Sequence, residues 1–176
     1  MSTKTRLIFA LVLLMGTLAN TIAAQVEPVA TAAANGPATF TNPLNESGPD
    51  PWVTWHEGYY YLAATTWGDS SLGLTMRKAG TIQGLKVAEP VQIWRDDTVD
   101  RCCNFWAPEF FLLDGPNGLR WYGYFTGGAA GTDFVKTQFM HVIESAGTDP
   151  MGPYSYKGKL VERNALDGSV LQLNGK

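Results

Sequence analysis

Residues 106–125 read WAPEFFLLDGPNGLRWYGYF and carry the clearest structural pattern in the chain. Two apolar runs, Glu109–Leu113 and Leu119–Phe125, flank the turn-forming stretch Gly115–Gly118. Short apolar, aromatic-rich runs on either side of a glycine-containing turn are typical of a β-hairpin. We therefore predict two antiparallel strands here.

The same pattern recurs on both sides of this hairpin. Short apolar runs bounded by glycine, proline or asparagine turns predict further strands. These predicted strands are Trp52–Trp55, Tyr59–Ala64, Leu72–Lys78, Phe139–Ser145 and Ser169–Leu173. Asn174-Gly175 follows the last of them and favours a tight hairpin turn, so we expect a third hairpin to begin there. Because no long apolar period of 3.6 residues occurs, the predicted fold class is all-β.

Three carboxylates, Asp50, Glu109 and Asp167, stand at the starts of the three hairpins, 59 and 58 residues apart. Repeats of this length with several short strands are typical of a β-propeller. In a propeller the innermost strands face a central channel, so acids at three strand starts converge at one opening. Propellers close with typically four to eight blades, and about two and a half are present here. We interpret residues 40–176 as the N-terminal part of a longer propeller.

Composition narrows the classes of function. Of the 176 residues, 45% are hydrophobic and only 16% are charged, which excludes a disordered chain. The formal net charge is −3 and no basic stripe is present, so a nucleic-acid partner is not expected. Two cysteines are too few for a disulfide scaffold.

The N-terminus has the pattern of an export signal. Lys4 and Arg6 precede the apolar run Leu7–Leu18, and small residues follow it. A run of 12 is too short to cross a membrane, which needs about 20 residues, so we predict a signal peptide rather than an anchor. The predicted divisions are a signal peptide at 1–24, cleaved after Ala23 or Ala24, a loose leader at 25–39, and a secreted folded region at 40–176.

The three repeated carboxylates are candidates for chemistry. A single acid before a strand is ordinarily a solvated loop residue, but three at the same phase of a repeat indicate a shared site. Asp50 lies between two prolines, Glu109 follows a proline, and Asp167 precedes a glycine. Carboxylates held in this way among aromatic residues suit a sugar site, because they supply proton transfer and hydroxyl hydrogen bonds.

Several motifs stand in a fixed order from about Asn42 to Lys176. They are Asn42-Pro43, GPDPWV at 48–53, YYY at 59–61, RCCNFWAPE at 101–109 and LDGSV at 166–170. Together they resemble glycoside hydrolase family 43, and the Trp-Ala-Pro-acid motif is the most specific of them. The resemblance implies a five-bladed β-propeller enzyme that acts on arabinan, arabinoxylan or xylan. The Cys-Cys-Asn sequence is similar to α-L-arabinofuranosidase members, which implies cleavage of terminal α-L-arabinofuranosyl linkages.

The resemblance also implies roles for individual residues. The family inverts at the anomeric carbon with three carboxylates. Asp50 would be the general base that activates water, and Asp167 would raise the pKa of the acid and orient it. The general acid would be a glutamate on the next blade, outside these 176 residues. Glu144 and Glu162 do not fit its motif.

Four further residues are candidates for substrate binding. Trp106 carries the family motif, and Glu109 would be a pocket residue that contacts a sugar hydroxyl or has a structural role. Trp67 and Phe105 are candidates to line the sugar pocket, with a place in the core as the alternative for each. No metal-ligand spacing occurs and no cofactor is required, although the resemblance implies that the full-length protein can hold a structural calcium near the propeller axis.

The expected partner is a plant cell-wall polysaccharide or oligosaccharide, bound by a monomer without membrane attachment. Three alternatives stay open: a β-xylosidase or an endo-arabinanase on the same fold, or a non-catalytic sugar-binding propeller. A fructan- or sucrose-acting enzyme ranks lower, because its Asn-Asp-Pro-Asn and Glu-Cys motifs are absent.

Three smaller features complete the sequence. Cys102 and Cys103 are either oxidised or packed as thiols, and the strain of a disulfide between adjacent residues favours the thiols. His56 is expected to be exposed beside a turn, and His141 to be structural. Asn45 begins a glycosylation sequon, which matters only in a eukaryotic source.

Overall fold

The computed structural model describes residues 39–66, 73–131 and 133–173, and these form an all-β structure. Two four-stranded antiparallel sheets follow one another along the chain, with the strands of each sheet adjacent in sequence order. A 3-10 helix, Gln83–Lys86, and a single-turn helix α1, Phe134–Thr137, complete the regular structure of the described residues. The first sheet contains β1 (Trp52–His56), β2 (Tyr59–Ala63), β3 (Leu74–Ala79) and β4 (Val91–Trp94), and the second contains β5 (Cys103–Gly115), β6 (Gly118–Gly128), β7 (Phe139–Ser145) and β8 (Tyr154–Lys159).

The β1–β2 hairpin is closed by a two-residue turn. Glu57 and Gly58 have φ values of 46° and 86°. Positive φ at both central residues defines the tight turn whose twist matches the flanking strands. The pairing of His56 with Tyr59 follows directly, and the side chains of β1 alternate between exposed and half-buried.

The β5–β6 hairpin is the longest element and agrees with the first prediction. Gly115 pairs with Gly118, so the turn lies where the glycines indicate. Strand β5 starts at Cys103 rather than near Glu109, however, and Glu109 therefore lies within the strand. The ladder with β6 continues beyond Glu109, with Trp106 paired with Thr126 and Cys103 paired with Gly128.

The core lies between the two sheets. Strands β1 and β5, the first strand of each sheet, contact one another, and Thr66 forms an isolated bridge with Phe105. The Trp52 ring lies 5.1 Å from that of Phe110 and 6.1 Å from that of Trp121. Buried residues from both sheets form one cluster, which contains Tyr61, Ala63, Leu74, Met76, Ile93, Phe105, Phe110, Trp121, Phe125 and Ile143. This arrangement confirms two consecutive β repeats packed face to face.

The predicted third hairpin is wrong for the described residues. Ser169–Leu173 has no strand structure, and Leu171 is 83% exposed. A strand requires a hydrogen-bonding partner, and no described residue pairs with this segment. Strands β4 and β8, which were not predicted, do form because β3 and β7 supply partners for them.

Several predictions fall outside the described residues. They include the signal peptide, nearly all of the leader, Trp67, Leu72 and the Asn174-Gly175 turn. Within the described part of the chain, no helix is long and apolar enough to cross a membrane.

Candidate active site

The three repeated carboxylates share one cleft. Its volume is about 270 Å³, and it opens where β1 begins and β5 bends. It is lined by Asp50, Pro51, Trp52, Ala107, Glu109 and Asp167. Residues 59 and 58 positions apart in sequence are thus brought together at one opening, as the repeat predicted.

Asp50 lies directly before β1 with its backbone in the left-handed region, at φ 53°. Non-glycine residues seldom adopt this conformation, and where they do the surrounding structure must hold them. Here Thr65 does so, because its backbone N–H donates to the carbonyl of Pro49 at 2.9 Å and its hydroxyl donates to Asp50 Oδ2 at 2.7 Å. Sequence reasoning missed Thr65, since nothing local marks it.

Two bulges in β5 shape the opposite wall. Between Cys103 and Trp106, and again between Trp106 and Glu109, three steps along β5 match two along β6. Each interval contains a non-glycine residue with positive φ, Asn104 at 55° and Ala107 at 41°. Bulges bend a strand and redirect its side chains, and they are frequent beside active sites. Here they bring Ala107 and Glu109 to the cleft.

Glu109 is linked to the segment that carries Asp167. The Ser169 hydroxyl donates to Glu109 Oε2 at 2.6 Å, across 60 residues of sequence. This bond ties β5 to a stretch without regular secondary structure. Ser169 is a second residue that sequence reasoning missed.

Asp167 is also in the left-handed region, at φ 53°, and is exposed. Its backbone N–H donates to the buried Thr126 hydroxyl at 3.3 Å, and the next N–H, of Gly168, points to Met140 Sδ at 3.3 Å. A Cβ atom at Gly168 would lie 2.8 Å from Met140 Cε, so the glycine permits the close approach that the sequence indicated.

The cysteine pair is a disulfide, contrary to the expectation of packed thiols. Cys103 is buried and begins β5 opposite Gly128, whereas Cys102 is half-buried and directly precedes the strand. The backbone carbonyl of the following residue, Asn104, accepts a hydrogen bond from Gln138 Nε2 at 3.2 Å. The disulfide thus adjoins the first β5 bulge.

The two aromatic candidates that the structure describes, Phe105 and Trp106, differ in burial. Phe105 is fully buried in the core, 5.7 Å from the Phe125 ring, and does not line the cleft. Phe105 belongs to the core cluster formed by both sheets, so the core alternative applies to it. Trp106 is half-buried and pairs with Thr126 on β6, and it too is absent from the described lining of the cleft.

The histidines both make structural contacts. His56 is not exposed as expected, because its side chain is 16% accessible and packs edge-on to Trp121, with Nε2 3.0 Å from the carbonyl of Thr148. His141 is fully buried, with its ring nitrogens 3.0 Å from Tyr156 Oη and 3.2 Å from the Gly127 carbonyl. Burial lowers the pKa of His141, and its structural role is confirmed.

Glu144 has a different environment from the cleft acids. Its carboxylate accepts hydrogen bonds from Lys157 Nζ at 2.8 Å, Tyr122 Oη at 2.7 Å and Asn117 Nδ2 at 3.0 Å. These donors, led by Lys157, lower the pKa of Glu144 to about 2. The hydrogen bond between Tyr122 and Glu144 raises the pKa of Tyr122 to about 12. A carboxylate saturated in this way has a structural role.

The sequence matches a family model over most of its length. The model of glycosyl hydrolases family 43 covers residues 40–176, which include both sheets and the whole cleft. The chain belongs to glycosyl hydrolase family 43.

Curated relatives are 30–36% identical to the chain over the aligned residues. It is 36% identical over 152 residues to an extracellular exo-α-(1→5)-L-arabinofuranosidase of Streptomyces avermitilis, covering 83% of this chain and 30% of that protein. It is 30% identical over 151 residues to α-L-arabinofuranosidase 43 of Humicola insolens, covering 82% and 29% respectively. The chain thus spans about a third of the length of these relatives.

Solved structures agree on the fold. The α-L-arabinofuranosidase of Lactobacillus brevis superposes with a TM-score of 0.64 at 27% identity, covering 78% of this chain and 44% of that one. The α-L-arabinanase of Cellvibrio cellulosa, in complex with arabinohexaose, superposes with a TM-score of 0.53 at 16% identity, covering 72% and 41%. The two sheets of this glycosyl hydrolase family 43 chain are therefore part of a β-propeller.

The calcium ion that the family resemblance implies for the full-length protein stays a prediction. Among residues 39–66, 73–131 and 133–173, no group of three or more His, Cys, Asp or Glu side chains could hold a metal ion.

Proposed function

We propose that this chain is part of a secreted glycoside hydrolase that removes terminal α-L-arabinofuranosyl residues from arabinan or arabinoxylan with inversion. The cleft that brings Asp50, Glu109 and Asp167 together carries the proposal. The family supports glycoside hydrolysis, and the arabinofuranosidase relatives support the sugar. The extracellular relative and the apolar N-terminal run favour secretion.

Asp50 has the setting that a general base needs. One carboxylate oxygen is fixed by Thr65, and the side chain is exposed at the cleft, where a water molecule can reach it. In the proposed reaction, Asp50 accepts a proton from this water as the water attacks the anomeric carbon. An inverting enzyme holds its acid and base about 6.5–9.5 Å apart, which leaves room for the water.

Asp167 is the proposed modulator of the general acid. Its negative charge at the same cleft would stabilise the protonated form of a neighbouring carboxyl group and so raise the pKa of that group. We propose that a glutamate outside these 176 residues is the acid that protonates the leaving-group oxygen. Glu109 and Trp106 are the proposed sugar contacts, with Glu109 accepting a hydrogen bond from a sugar hydroxyl.

The proposed function is tested in the full-length protein, which we expect to be a monomer. p-Nitrophenyl α-L-arabinofuranoside and β-D-xylopyranoside are the substrates, and proton NMR identifies the first anomer released. Turnover of the arabinofuranoside with inverted configuration is expected. Preferential turnover of the xyloside, or retained configuration, would contradict the proposal.

The 176-residue chain is compared with the full-length protein in the same assay. Because the proposed acid lies outside it, the short chain is expected to show no turnover. Turnover near that of the full-length protein would place the acid within these residues and refute the assignment.

A further inference from the structure

Thr65 joins three separate pieces of the cleft wall. It follows β2, is buried, and makes three hydrogen bonds. Its backbone N–H binds the carbonyl of Pro49 at 2.9 Å, its hydroxyl donates to Asp50 Oδ2 at 2.7 Å, and its oxygen accepts the N–H of Ala107 at 2.9 Å. The Asp50 loop, the end of β2 and the second bulge of β5 thus meet at one hydroxyl group.

The direction of these bonds is informative. A threonine hydroxyl has one proton and accepts through its lone pairs. The Thr65 oxygen accepts the Ala107 N–H through a lone pair, and its single proton is donated to Asp50. The Ala107 N–H that makes this bond belongs to the second β5 bulge, where the Ala107 backbone is left-handed at φ 41°. The β5 bulge therefore orients the Asp50 carboxylate through Thr65.

Only one of the two carboxylate oxygens is engaged. Oδ1 of Asp50 makes no hydrogen bond to any residue that the structure describes, while Oδ2 accepts from Thr65. The other titratable groups lining the cleft are acids, Glu109 and Asp167, and no basic side chain is among its described lining. The neutral hydroxyl is thus the donor that fixes the Asp50 rotamer while leaving Oδ1 to face water.

We propose that Thr65 is a positioning residue for the general base Asp50, held in register by the Ala107 N–H of the β5 bulge. The proposal rests on the proposed hydrolytic role of Asp50. It assigns a function to the bulge itself, because a regular β5 would not direct this N–H to Thr65.

The test compares three threonine variants in the full-length protein. Thr65→Val removes the hydroxyl and keeps the shape, Thr65→Ser keeps the hydroxyl, and Thr81→Val is the matched control. Thr81 also accepts a backbone N–H, from Gly84 at 3.0 Å, but it is exposed beside the 3-10 helix and does not line the cleft. kcat, KM and the pH dependence of kcat/KM are measured, together with thermal unfolding.

Thr65→Val is expected to lower kcat by about 10- to 100-fold with little change in KM, because a misplaced base slows the chemical step. The acidic limb of its kcat/KM profile should move to higher pH, since the ionised carboxylate loses a donor. Thr65→Ser should retain both properties. Wild-type kcat and an unmoved limb in Thr65→Val would overturn the proposal. If valine prevents folding, Thr65→Ala is compared with Thr65→Ser, and equal kcat in those two variants would overturn it.

The test of Thr65 can fail or succeed independently of the proposed function. If the protein prefers a xyloside, the ratio of the variant to the wild type on that substrate still tests Thr65. If no glycoside is cleaved, carbon-13 NMR of the Asp50 carboxyl carbon replaces the assay. Its titration should move to higher pH in Thr65→Val and not in Thr81→Val, and an unchanged titration would refute the positioning role.

Discussion

The Asp50 loop and the Asp167 segment, which both line the cleft, hold an aspartate in the same backbone conformation but restrain it differently. Both aspartates have φ 53°, and each lies beside a buried threonine. Thr65 binds the carboxylate of Asp50, whereas Thr126 accepts only the backbone N–H of Asp167. The Asp167 carboxylate makes no hydrogen bond to any described residue. One acid is thus fixed at its carboxylate, and the other only through its backbone.

The two kinds of restraint match the different roles proposed for the two aspartates. A general base must present one oxygen to a water molecule with little positional error, because small displacements are costly in rate. An acid that acts through its charge tolerates more freedom, since a Coulomb interaction falls off gradually with distance. The difference between the two regions leads to four predictions.

The largest effect is expected from Asp50→Asn in the full-length protein. An amide cannot take a proton from water, and general-base assistance is typically worth 10²–10⁴-fold. kcat on p-nitrophenyl α-L-arabinofuranoside should fall within or beyond that range while thermal unfolding stays close to the wild type. Asp114→Asn, an exposed acid at the far end of β5, serves as the control. Unchanged turnover in Asp50→Asn would show that the base is another residue.

Asp167→Asn should have a smaller effect of a different kind. Removing the charge while keeping the shape leaves the base intact, so kcat should fall by about 10- to 100-fold, within the usual value of acid–base assistance. One limb of the pH–rate profile should shift, because the proposed acid loses a neighbouring negative charge. A profile that keeps both limbs in place would contradict the modulating role.

Thr126→Val tests the backbone restraint of the Asp167 segment. The valine keeps the shape but leaves the Asp167 N–H without its acceptor, which costs roughly 1–3 kcal/mol if the group stays buried. We expect a lower melting temperature and a fall in kcat of only about 3- to 10-fold. A fall in kcat as large as that of Thr65→Val would mean that the Thr126 and Thr65 hydrogen bonds matter equally for the rate.

Glu144→Gln should affect stability and leave the rate unchanged, because Glu144 lies in the β6–β8 hydrogen-bond network. The hydrogen bond from Lys157 is the main cause that lowers its folded pKa to about 2, from an ordinary 4.5. Its contribution to stability is therefore complete above about pH 4.5 and is lost as the pH falls towards 2. Melting curves of wild type and variant should differ at pH 7 and converge near pH 2. Equal melting temperatures at pH 7 would contradict this role.

Much of the fold and part of the cleft were predictable because they depend on local patterns. The turn at Glu57-Gly58 and the hairpin around Gly115–Gly118 follow from glycine placement and alternating side chains. The repeat spacing predicted that Asp50, Glu109 and Asp167 would meet, since successive repeats place equivalent positions at the same opening. The hairpins require only contacts within a repeat, and the meeting of the acids follows from the repetition itself.

Other features required contacts between distant parts of the chain. Thr65 and Ala107 are 42 residues apart, and Ser169 and Glu109 are 60 apart. Nothing in the residues adjoining each partner indicates these bonds. Phe105 was a candidate for the sugar pocket, but the neighbouring sheet buries it in the core. Ser169–Leu173 has a strand-like pattern, yet no described residue pairs with it.

Hydrophobic alternation and glycine conformations act over a few residues, and so the β-rich repeats and their turns follow from the sequence alone. The spacing of those repeats then predicts the convergence of the three carboxylates. Only the tertiary structure decided where β5 bulges, that Cys102 and Cys103 are bonded, and which oxygen of Asp50 is held. Those outcomes depend on how the strands of one sheet register and pack against the other. The free energies that select them come from contacts across the fold, and short-range patterns do not encode those contacts.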